Sequence, residues 1–462
     1  MLSNKFTYTL AILLTSSTVF GASDLKSAFQ DGKISGQVRY YYMSEDNQKG
    51  LTDYYGSALG GNIKYETSQY NGFKIGAAIY TSNFINTNVN STNTGPTAGG
   101  NKNSRYVIGL MDGTNPDNHN ITNVGELYLN YKYSKTNLTL GRMKLKTPFM
   151  NPEDGRMIPT LEQGVWFTSK DVNNLTLQAG YINAFWPRST SGFKSVEDSV
   201  GYGYGQGLQP LAQKTTGNYS GNTSSNGLYI ASAKYTATKN IKLQVWNYYA
   251  QNLFNLAYIE GTYKKKINGY KFISGIQYMH EKAVGDGGNA DPKKAYMRHG
   301  EKTEVYGLKA GAGYKSSLVT FAYNSTANSG RFMFPREWGK EPFYTFQKRE
   351  RSEGSGGCHA WLVTLKQNFK GFNINGLSVK LGYGKYYKQD VKNFVLNKYA
   401  LPSYAQGNID IFYKFSGKLK GLKAEYLFAR KYAIGNTYNN NPNFVFSKVD
   451  INIHNFILNY TF

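Results

Sequence analysis

The residues of this chain that could do chemistry are mainly cations. Arg142, Lys144 and Lys146 recur at every second position. Residues two apart lie on one face of a β-strand, so these three side chains would form a row. Fixed positive charges attract anions, and a guanidinium holds a carboxylate with two parallel donors. This spacing therefore indicates recognition of small anions.

Catalytic groups are sparse by comparison. The single cysteine, Cys358, precedes His359, but adjacent residues of a strand point to opposite faces, which argues against a Cys–His pair. No serine lies in a nucleophile-elbow pattern. The Asp- and Asn-rich stretches 112–118 and 286–291 lack the last glutamate of an EF-hand loop, and turn chemistry explains them equally well. The sequence predicts no enzyme and no cofactor, and it leaves calcium binding in the loops open.

The charge balance limits the partners. The formal net charge is +24, from 53 Lys and Arg against 29 Asp and Glu. Such a charge suits nucleic acid, anionic lipid or anionic solutes. Because the cations are spread along candidate strands of an exported chain, nucleic acid is not expected. We assign the charge to small anions.

The amino-terminus has the pattern of an export signal. Lys5 precedes a short apolar run at 10–14, with a cleavage position before Ala22. No later run approaches the roughly 18 apolar residues that a helical membrane span needs. We predict a signal peptide at 1–21 and a single domain at 22–462.

Alternation of apolar and polar residues predicts eighteen strands. Most are about ten residues long, the length that a tilted strand needs to cross a bilayer. They lie at 34–43, 58–67, 73–82, 124–133, 137–146, 162–170, 175–184, 227–236, 241–250, 254–264, 270–280, 304–314, 317–326, 358–367, 377–387, 404–415, 422–432 and 450–462. The last of these ends on Phe462, with Tyr460 on the same face, as in the assembly signal of outer-membrane barrels.

Connections between the predicted strands alternate in length. Short turns such as 68–72 alternate with long segments such as 83–123 and 185–226, as in outer-membrane barrels. A sheet in lipid must close, and a barrel this wide encloses an aqueous lumen. We therefore predict an all-β fold: a transmembrane antiparallel β-barrel with short periplasmic turns and long extracellular loops. The short outward connection 251–253 leaves sixteen strands open as an alternative to eighteen.

Alternation also assigns side chains to the lumen. The basic ones are Arg39, Lys64, Lys74, Lys132, Lys242, Lys271, Lys309, Lys366, Lys380, Lys414 and Lys423. The acidic ones are Glu66, Glu126, Glu260, Asp410 and Glu425. This excess of cations predicts a positive lumen that favours anions. Many of the lysines lie near the short turns, where anchoring in the membrane interface is the alternative.

The strand at 137–146 departs from the alternation. Its leucines would face lipid, and strict alternation would place Arg142 and Lys144 on the same face. A charge near the bilayer midplane costs roughly 2–4 kcal/mol. A β-bulge at Gly141 would turn both side chains inward, and Lys146 would continue the row. Alternatively, this stretch lies above the membrane.

Several stretches resemble a known family. They are DLKSAFQDGKISGQVRYY at 24–41, GRMKLKTP at 141–148, NPEDGRMIP at 151–159 and FPREWGKEPFYT at 334–345. Together they resemble the OprD family of outer-membrane porins, in the form found in epsilonproteobacteria. The similarity runs from the first strand to the last, although the long loops at 83–123 and 185–226 show no matching motif.

The resemblance implies an eighteen-stranded barrel whose inward-folded loops narrow the channel. It also implies a basic row that guides carboxylate-bearing solutes past an acidic patch. In this sequence the row would draw on Arg39, Arg142, Lys144 and Arg156. The narrowing loops would lie near 147–161 and 327–357, with candidate acids at Glu153, Asp154 and Glu341 and with Arg336 and Lys340 close by.

The sequence thus predicts a passive diffusion channel of the outer membrane. It would pass small hydrophilic solutes and favour anionic or carboxylate-bearing ones through its basic lumen. Expected partners are outer-membrane lipid, the solutes, and the barrel-assembly machinery through the strand that ends at Phe462. Porins are often trimers, so a homotrimer is left open. A surface adhesin or recognition protein acting through the long loops is the alternative function.

Overall fold

The structure is a computed structural model that describes residues 21–90, 96–97, 100–101, 104–115, 120–152, 156–202 and 218–462. All but the last residue of the predicted signal peptide, and the candidate acids Glu153 and Asp154, lie outside the described residues. Within the described ranges, no helix is long and apolar enough to cross a membrane.

Eighteen strands form the barrel, and each is antiparallel to its neighbours in sequence. They are β1 Lys33–Asn47, β2 Tyr54–Glu66, β3 Phe73–Thr87, β4 Ile121–Tyr133, β5 Thr136–Met143, β6 Leu161–Ser169, β7 Leu175–Trp186, β8 Leu228–Thr236, β9 Ile241–Ala250, β10 Phe254–Ile267, β11 Tyr270–Ala283, β12 Lys302–Tyr314, β13 Ser317–Thr326, β14 Cys358–Asn368, β15 Leu377–Tyr387, β16 Tyr404–Lys414, β17 Leu422–Ala433 and β18 Ile451–Thr461. β1 also pairs with β18, from Gln37 opposite Thr461 to Asn47 opposite Ile451, so the sheet is closed.

The described helices are short. They are α1 Leu25–Gln30, α2 Val196–Ser199 and the 3-10 turns Val107–Leu110, Phe369–Phe372, Gly417–Leu419, Tyr438–Asn440 and Pro442–Phe444. Two-residue strands occur at Pro96–Thr97, Gly100–Asn101 and Lys194–Ser195. The eighteen-strand prediction is confirmed, and the segment 251–253 is a tight turn between β9 and β10. The sixteen-strand alternative is wrong.

Alternation separates the two faces of the wall. In β18, Asn455 is fully buried toward the lumen whereas Phe456 is 40% exposed on the outside. The same pattern repeats around the barrel, so the outer surface is a continuous apolar band. A soluble protein rarely exposes a patch of this size, whereas lipid accepts it at no cost.

Residue types at the short turns match the geometry of tight hairpins. Asn71–Gly72 and Asn268–Gly269 both have positive φ at each residue, 47° and 85° in the first turn and 47° and 83° in the second. A two-residue turn of this kind requires positive φ at both positions, which Asn and Gly tolerate best. The first described residues, from Gly21, and the carboxy-terminal Phe462 lie at this end of the barrel, and the long loops lie at the other.

Gly141 does not carry the predicted β-bulge. Gly141 lies opposite Gly164 and Arg142 opposite Gln163 without interruption, and the register shift falls instead between Gln163 and Gly164 against β7. Gly141 has φ +123°, and a Cβ there would lie 2.3 Å from the Leu127 carbonyl oxygen. Glycine at 141 therefore permits a close approach of two strands and does not reverse the faces of β5. The predicted bulge is wrong.

Candidate functional site

The segment 342–349 follows the inner wall of the barrel. Its hydrogen bonds reach β11, β10, β15, β16 and β1 in turn: Gln277 Nε2 to Pro342 O (3.2 Å), Tyr344 Oη to Glu260 Oε1 (2.8 Å), Tyr386 Oη to Thr345 O (2.7 Å), Gln347 Nε2 to Gln406 O (3.0 Å) and Arg349 Nη2 to Tyr41 Oη (2.7 Å). Every wall partner is an inward-facing residue of its strand. The segment therefore lies within the lumen.

Buried ion pairs hold both ends of the loop 327–357, which contains the segment 342–349. On one side, Arg331 Nη2 lies 2.8 Å from Glu301 Oε2. Burial alone would raise the pKa of Glu301, but Arg331 and Arg298 hold that pKa well below its usual range. Both carboxylate and guanidinium are thus charged, and they form a fixed contact between two loops.

The other end of the loop is held by Lys398. Its ammonium lies 2.7 Å from Glu353 Oε1 and 4.8 Å from the ring centroids of both Tyr219 and Tyr399. Burial lowers the pKa of Lys398 to about 8, although Glu353 opposes that shift. A buried cation is stabilised here by one carboxylate and by the faces of the aromatic rings.

Aromatic packing joins the loop to its neighbours. Phe149 lies 5.1 Å from Phe334, and the rings of Phe185 and Trp338 stack at 4.6 Å between centroids. Each of these four side chains is buried. The contacts connect the segment after β5, the end of β7 and the loop before β14. Apolar burial thus fixes the position of the polar residues that these loops carry.

Six arginines surround one small cavity among these loops, which we call the arginine cavity. Its lining is Arg105, Tyr106, Arg156, Arg188, Arg336, Arg349, Glu350 and Arg351, and its volume is about 20 Å³. The whole chain contains eleven arginines, so more than half of them meet here. A space of this size admits a water molecule or a small polar group.

Different loops supply these arginines, and each is held by local contacts. Arg188 donates from Nη1 to the carbonyl oxygens of Arg336 and Gly339, the latter at 3.3 Å. The side chain of Arg156 passes close to Gly109, where a Cβ would lie 2.3 Å from Nε. Glycine at 109 is therefore required for that arginine to reach the cavity.

The acids near the cavity either contact donors or have a raised pKa. Arg336 Nη1 lies 3.5 Å from Glu341 Oε1, and Glu341 also accepts from the backbone N–H of Ser352 at 2.9 Å. Burial raises the pKa of Glu350, and burial raises the pKa of Glu337 to about 7. The lining therefore carries a net positive charge at neutral pH.

Several residues singled out in the sequence lie at or next to this cavity. Arg39 donates from Nη1 to the Arg156 carbonyl oxygen at 2.6 Å and from Nε to Asn459 Oδ1 at 2.7 Å. Arg336 lines the cavity, and Glu341 contacts Arg336. Lys340 lies beside them, with its ammonium 5.0 Å from the ring centroid of Phe346.

The row Arg142–Lys144–Lys146 lies apart from the arginine cavity. Arg142 lies opposite Leu127, which faces outward and is 53% exposed. Its guanidinium lies 4.6 Å from the ring of Phe193. Lys144 and Lys146 follow the end of β5 and are exposed. Because β5 keeps its alternation through Gly141, the structure does not bring Arg142 together with Arg39 and Arg156.

Inward lysines on the strands form a second charged region, which we call the lower lumen. It comprises Lys64, Lys74, Lys132, Lys309 and Lys380 with Glu66 and Glu126. Lys64 lies 2.8 Å from Glu126, and Lys74 lies 2.7 Å from Glu66. The ammonium of Lys309 lies 3.8 Å from the ring centroid of Tyr344, and Lys132 is exposed near the turn end. Two of its lysines thus each have a carboxylate partner.

Strand alternation predicts no role for four arginines of the cavity: Arg105, Arg188, Arg349 and Arg351. All four lie in long loops, where alternation gives no information about direction. One signal was available: arginine is scarce in this chain relative to lysine, and most arginines lie outside the strands. In the part of the chain that the structure describes, no group of three or more His, Cys, Asp or Glu residues could hold a metal ion.

Comparison with known proteins agrees with this architecture. A family model described as outer membrane porin, OprD family, matches residues 27–453. Comparison with curated protein sequences gives no match. Among solved structures, Acinetobacter baumannii OccAB2 superposes with a TM-score of 0.72 at 16% identity, covering 94% of this chain and 99% of that chain.

Two Pseudomonas aeruginosa structures are similar to the same extent. OccK9 (OpdG) gives a TM-score of 0.71 at 16% identity, and OpdK with vanillate gives 0.69 at 15% identity. Each comparison covers 94% of this chain and 99% of the other. At these identities the structural likeness shows a common fold.

Proposed function

This chain belongs to the OprD family of outer membrane porins, and from that premise we propose that its channel favours small anions, carboxylates among them. The protein is a channel of the bacterial outer membrane and not an enzyme. The observation that carries the proposal is the arginine cavity, whose lining has six guanidinium groups and one carboxylate. It lies beside the segment 342–349, which occupies the lumen.

We infer on electrostatic grounds that selection occurs in this region. Two unit charges 4 Å apart interact by about 1 kcal/mol in bulk water and by about 4 kcal/mol at an effective dielectric constant of 20. Cations held by buried contacts in a narrow passage therefore act on a solute more strongly than cations on a wide, hydrated wall. Guanidinium groups add a planar fork that fits a carboxylate.

Specific roles follow for the residues predicted from the sequence. Arg39, Arg156 and Arg336 would guide the solute at the narrowest part, and Glu341 would fix the orientation of Arg336. The loops near 147–161 and 327–357 would narrow the channel. Lys64, Lys132 and Lys309 would line the wider path below. In support, Arg39 contacts Arg156 directly and the segment 342–349 bonds to the inner wall.

Vanillate is a suitable carboxylate probe. One structural neighbour, OpdK, was crystallised with vanillate, which carries one carboxylate on an aromatic ring. The aromatic side chains beside the arginine cavity, including Tyr106, offer a surface for such a ring. We expect vanillate to permeate or to block this channel at lower concentration than a neutral phenol of similar size.

The decisive experiment is a reversal-potential measurement in a planar bilayer across a potassium chloride gradient. The native protein should prefer chloride. The double substitution Arg349→Gln with Arg351→Gln should lower the chloride-to-potassium permeability ratio several-fold, because two charges leave the narrow region. Lys132→Gln with Lys271→Gln removes the same charge near the turn end and serves as the control.

Two results would contradict the proposal. A native channel that prefers potassium would show that acids control the passage. An equal effect of both double substitutions would show that the net charge of the lumen, and not the arginine cavity, sets the preference.

A further inference from the structure

Two cations face outward at the loop end of β15 and β17. Lys385 alternates with Tyr386, which is buried toward the lumen, and Arg430 precedes Lys431, which is also buried toward the lumen. Lys385 and Arg430 are therefore on the outer surface of the barrel. Neither side chain makes a hydrogen bond or an ion pair with any residue that the structure describes. Charged groups on this surface are costly unless something compensates them.

Strand pairing places these cations around a pair of tyrosines. Lys385 lies opposite Ala405, and Ala405 lies opposite Tyr432. One step toward the turn end, Tyr383 lies opposite Gly407, and Gly407 lies opposite Arg430. Two strand spacings of about 5 Å separate β15 from β17. Lys385 and Arg430 therefore occupy one diagonal of a four-residue patch, and the tyrosines occupy the other.

The intervening strand leaves room for the tyrosines to meet. Ala405 and Gly407 are the outward residues of β16 at this level, and a Cβ added at Gly407 would find its nearest heavy atom, in Tyr383, only at 3.9 Å. The hydroxyl groups of Tyr383 and Tyr432 lie 2.8 Å apart, above these small residues. One hydroxyl donates to the other, which leaves one O–H free to donate outward.

The surface directly below the patch is apolar. Leu381, Ile409 and Phe428 lie side by side in the next outward row toward the turn end. Leu381 and Ile409 are each about 40% exposed. A lipid with an anionic head group and hydrocarbon chains could therefore place the head group against the cations and the chains against the apolar row below them.

Among the described residues, no carboxylate forms an ion pair with Lys385 or Arg430. Asp450, beside Tyr432, accepts from the backbone N–H of Ala433 at 2.8 Å. Register places Asn452 opposite Arg430 and Asp46 opposite Asn452, so Asp46 is two strands away from Arg430. The carboxylate of Asp46 lies 3.4 Å from His454 Nε2. Two other outward cations of this rim, Lys282 and Lys302, do have an acid close by. They lie opposite each other, and Glu304 is the next outward residue after Lys302 on the same strand.

We propose that Lys385, Arg430, Tyr383 and Tyr432 bind a phosphate group of an outer-leaflet glycolipid. The ammonium and the guanidinium supply two charges, and the free hydroxyl supplies a third donor. The acyl chains lie along Leu381, Ile409 and Phe428. Basic groups at the membrane surface bind anionic head groups in this manner. The site lies outside the channel and is independent of solute selection.

The proposal is tested by measuring the binding of diphosphoryl lipid A to the purified full chain in detergent. Native mass spectrometry reports the bound lipid. Lys385→Gln with Arg430→Gln should weaken binding roughly 30-fold, about fivefold for each charge. The control, Lys282→Gln with Lys302→Gln, removes two outward charges from the same rim and should leave the affinity within about twofold. Lipid A without phosphates should bind the native protein as weakly as diphosphoryl lipid A binds the first variant.

A second variant keeps the test informative if the charge substitutions impair folding. Tyr432→Phe preserves ring and charge but removes one hydroxyl, and it should weaken binding a few-fold. Equal losses in the two charge-pair variants would overturn the proposal, because they would indicate diffuse attraction to the whole rim. Competition by inorganic phosphate as effective as that of lipid would also overturn it, as would a second copy of the chain occupying the patch.

Discussion

The arginine cavity and the lower lumen are both basic, but they are built differently. The lower lumen lies on strands, and its cations are lysines such as Lys64 and Lys74, each within 3 Å of a carboxylate. The arginine cavity lies among loops, and its lining has six guanidinium groups to one carboxylate. The lower lumen has five lysines to two carboxylates, and two of those lysines are paired. The arginine cavity has the larger excess of positive charge.

This difference shows why a count of inward charges is a poor measure of selectivity. Lys348, which the segment 342–349 contributes, contacts both Glu425 and Asp410. Each such pair cancels most of the field that its lysine would exert on a passing anion. In the arginine cavity, six guanidinium groups stand against one carboxylate, and buried contacts hold them in place. Under the proposed function, selection depends on the loops more than on the wall.

The largest expected effect comes from releasing the loop that carries three of these arginines. Lys398→Met leaves Glu353 buried without its ammonium partner, and such a loss destabilises by roughly 3–5 kcal/mol. We expect faster tryptic cleavage within 327–357 and a loss of anion preference in bilayers. The control Lys74→Met breaks a half-exposed pair in the lower lumen and should cost less than about 1 kcal/mol.

Equal cleavage rates in the two variants would remove the distinction between the regions. Such a result would mean that the aromatic packing of Phe149 and Trp338, without the ion pair of Lys398, holds the loops of the arginine cavity in place.

An intermediate effect should follow from exchanging guanidinium for ammonium. Arg351→Lys keeps the charge of the arginine cavity but removes the planar fork, so chloride preference should persist while the vanillate permeability falls about threefold or more. Lys309→Arg in the lower lumen is the reciprocal control and should change neither quantity. Competition measurements in bilayers with both anions present would report the ratio. A fall in chloride preference in the first variant would refute the role of the fork.

The smallest expected effect is a dependence on pH. Burial raises the pKa of Glu337 to about 7, with Glu353 adding to that shift and with Lys398 and Arg188 opposing it. Burial lowers the pKa of Lys398 to about 8. As pH rises from 6 to 9, Glu337 gains a negative charge and Lys398 loses a positive one. We therefore expect the anion preference to fall by roughly twofold over this range.

The sign of the linked stability change follows from the same values. Folding raises the pKa of Glu337 above its ordinary value of 4.5, so protonation of this carboxyl stabilises the folded chain. This stabilisation is complete below pH 4.5 and is lost as the pH rises through about 7. Glu337→Gln should flatten the acidic half of the selectivity profile. Glu304→Gln, on the outer surface, should leave the profile unchanged. A native profile that is flat from pH 6 to 9 would show that Glu337 does not influence the passage.

Much of the barrel could be predicted because its determinants are local. In β9, β13 and β15 the predicted bounds match the structure at both ends. Alternation with a period of two reports the burial of each residue directly, and Asn–Gly turns mark the hairpins. The inward placement of Lys64 and Lys74 follows from the same rule and agrees with their ion pairs.

The error at Gly141 shows where local rules stop. A glycine before two outward cations suggested a bulge, but Gly141 is needed because a Cβ there would lie 2.3 Å from the Leu127 carbonyl oxygen of β4. That requirement comes from a neighbouring strand and cannot be read from the alternation within β5. Arg142 consequently stays on the face that strict alternation assigns to it.

Alternation in the sequence was enough to predict a closed barrel of eighteen or sixteen strands and the two faces of its wall, since each strand and its faces depend on a few consecutive residues. Contacts between loops settled which cations meet. Arg105, Arg188 and Arg349 are separated by about 80 residues or more along the chain, and they line one cavity because buried ion pairs and stacked rings hold their loops. Contacts between distant loops carry no periodic signal, so the composition of this cavity depends on the folded chain.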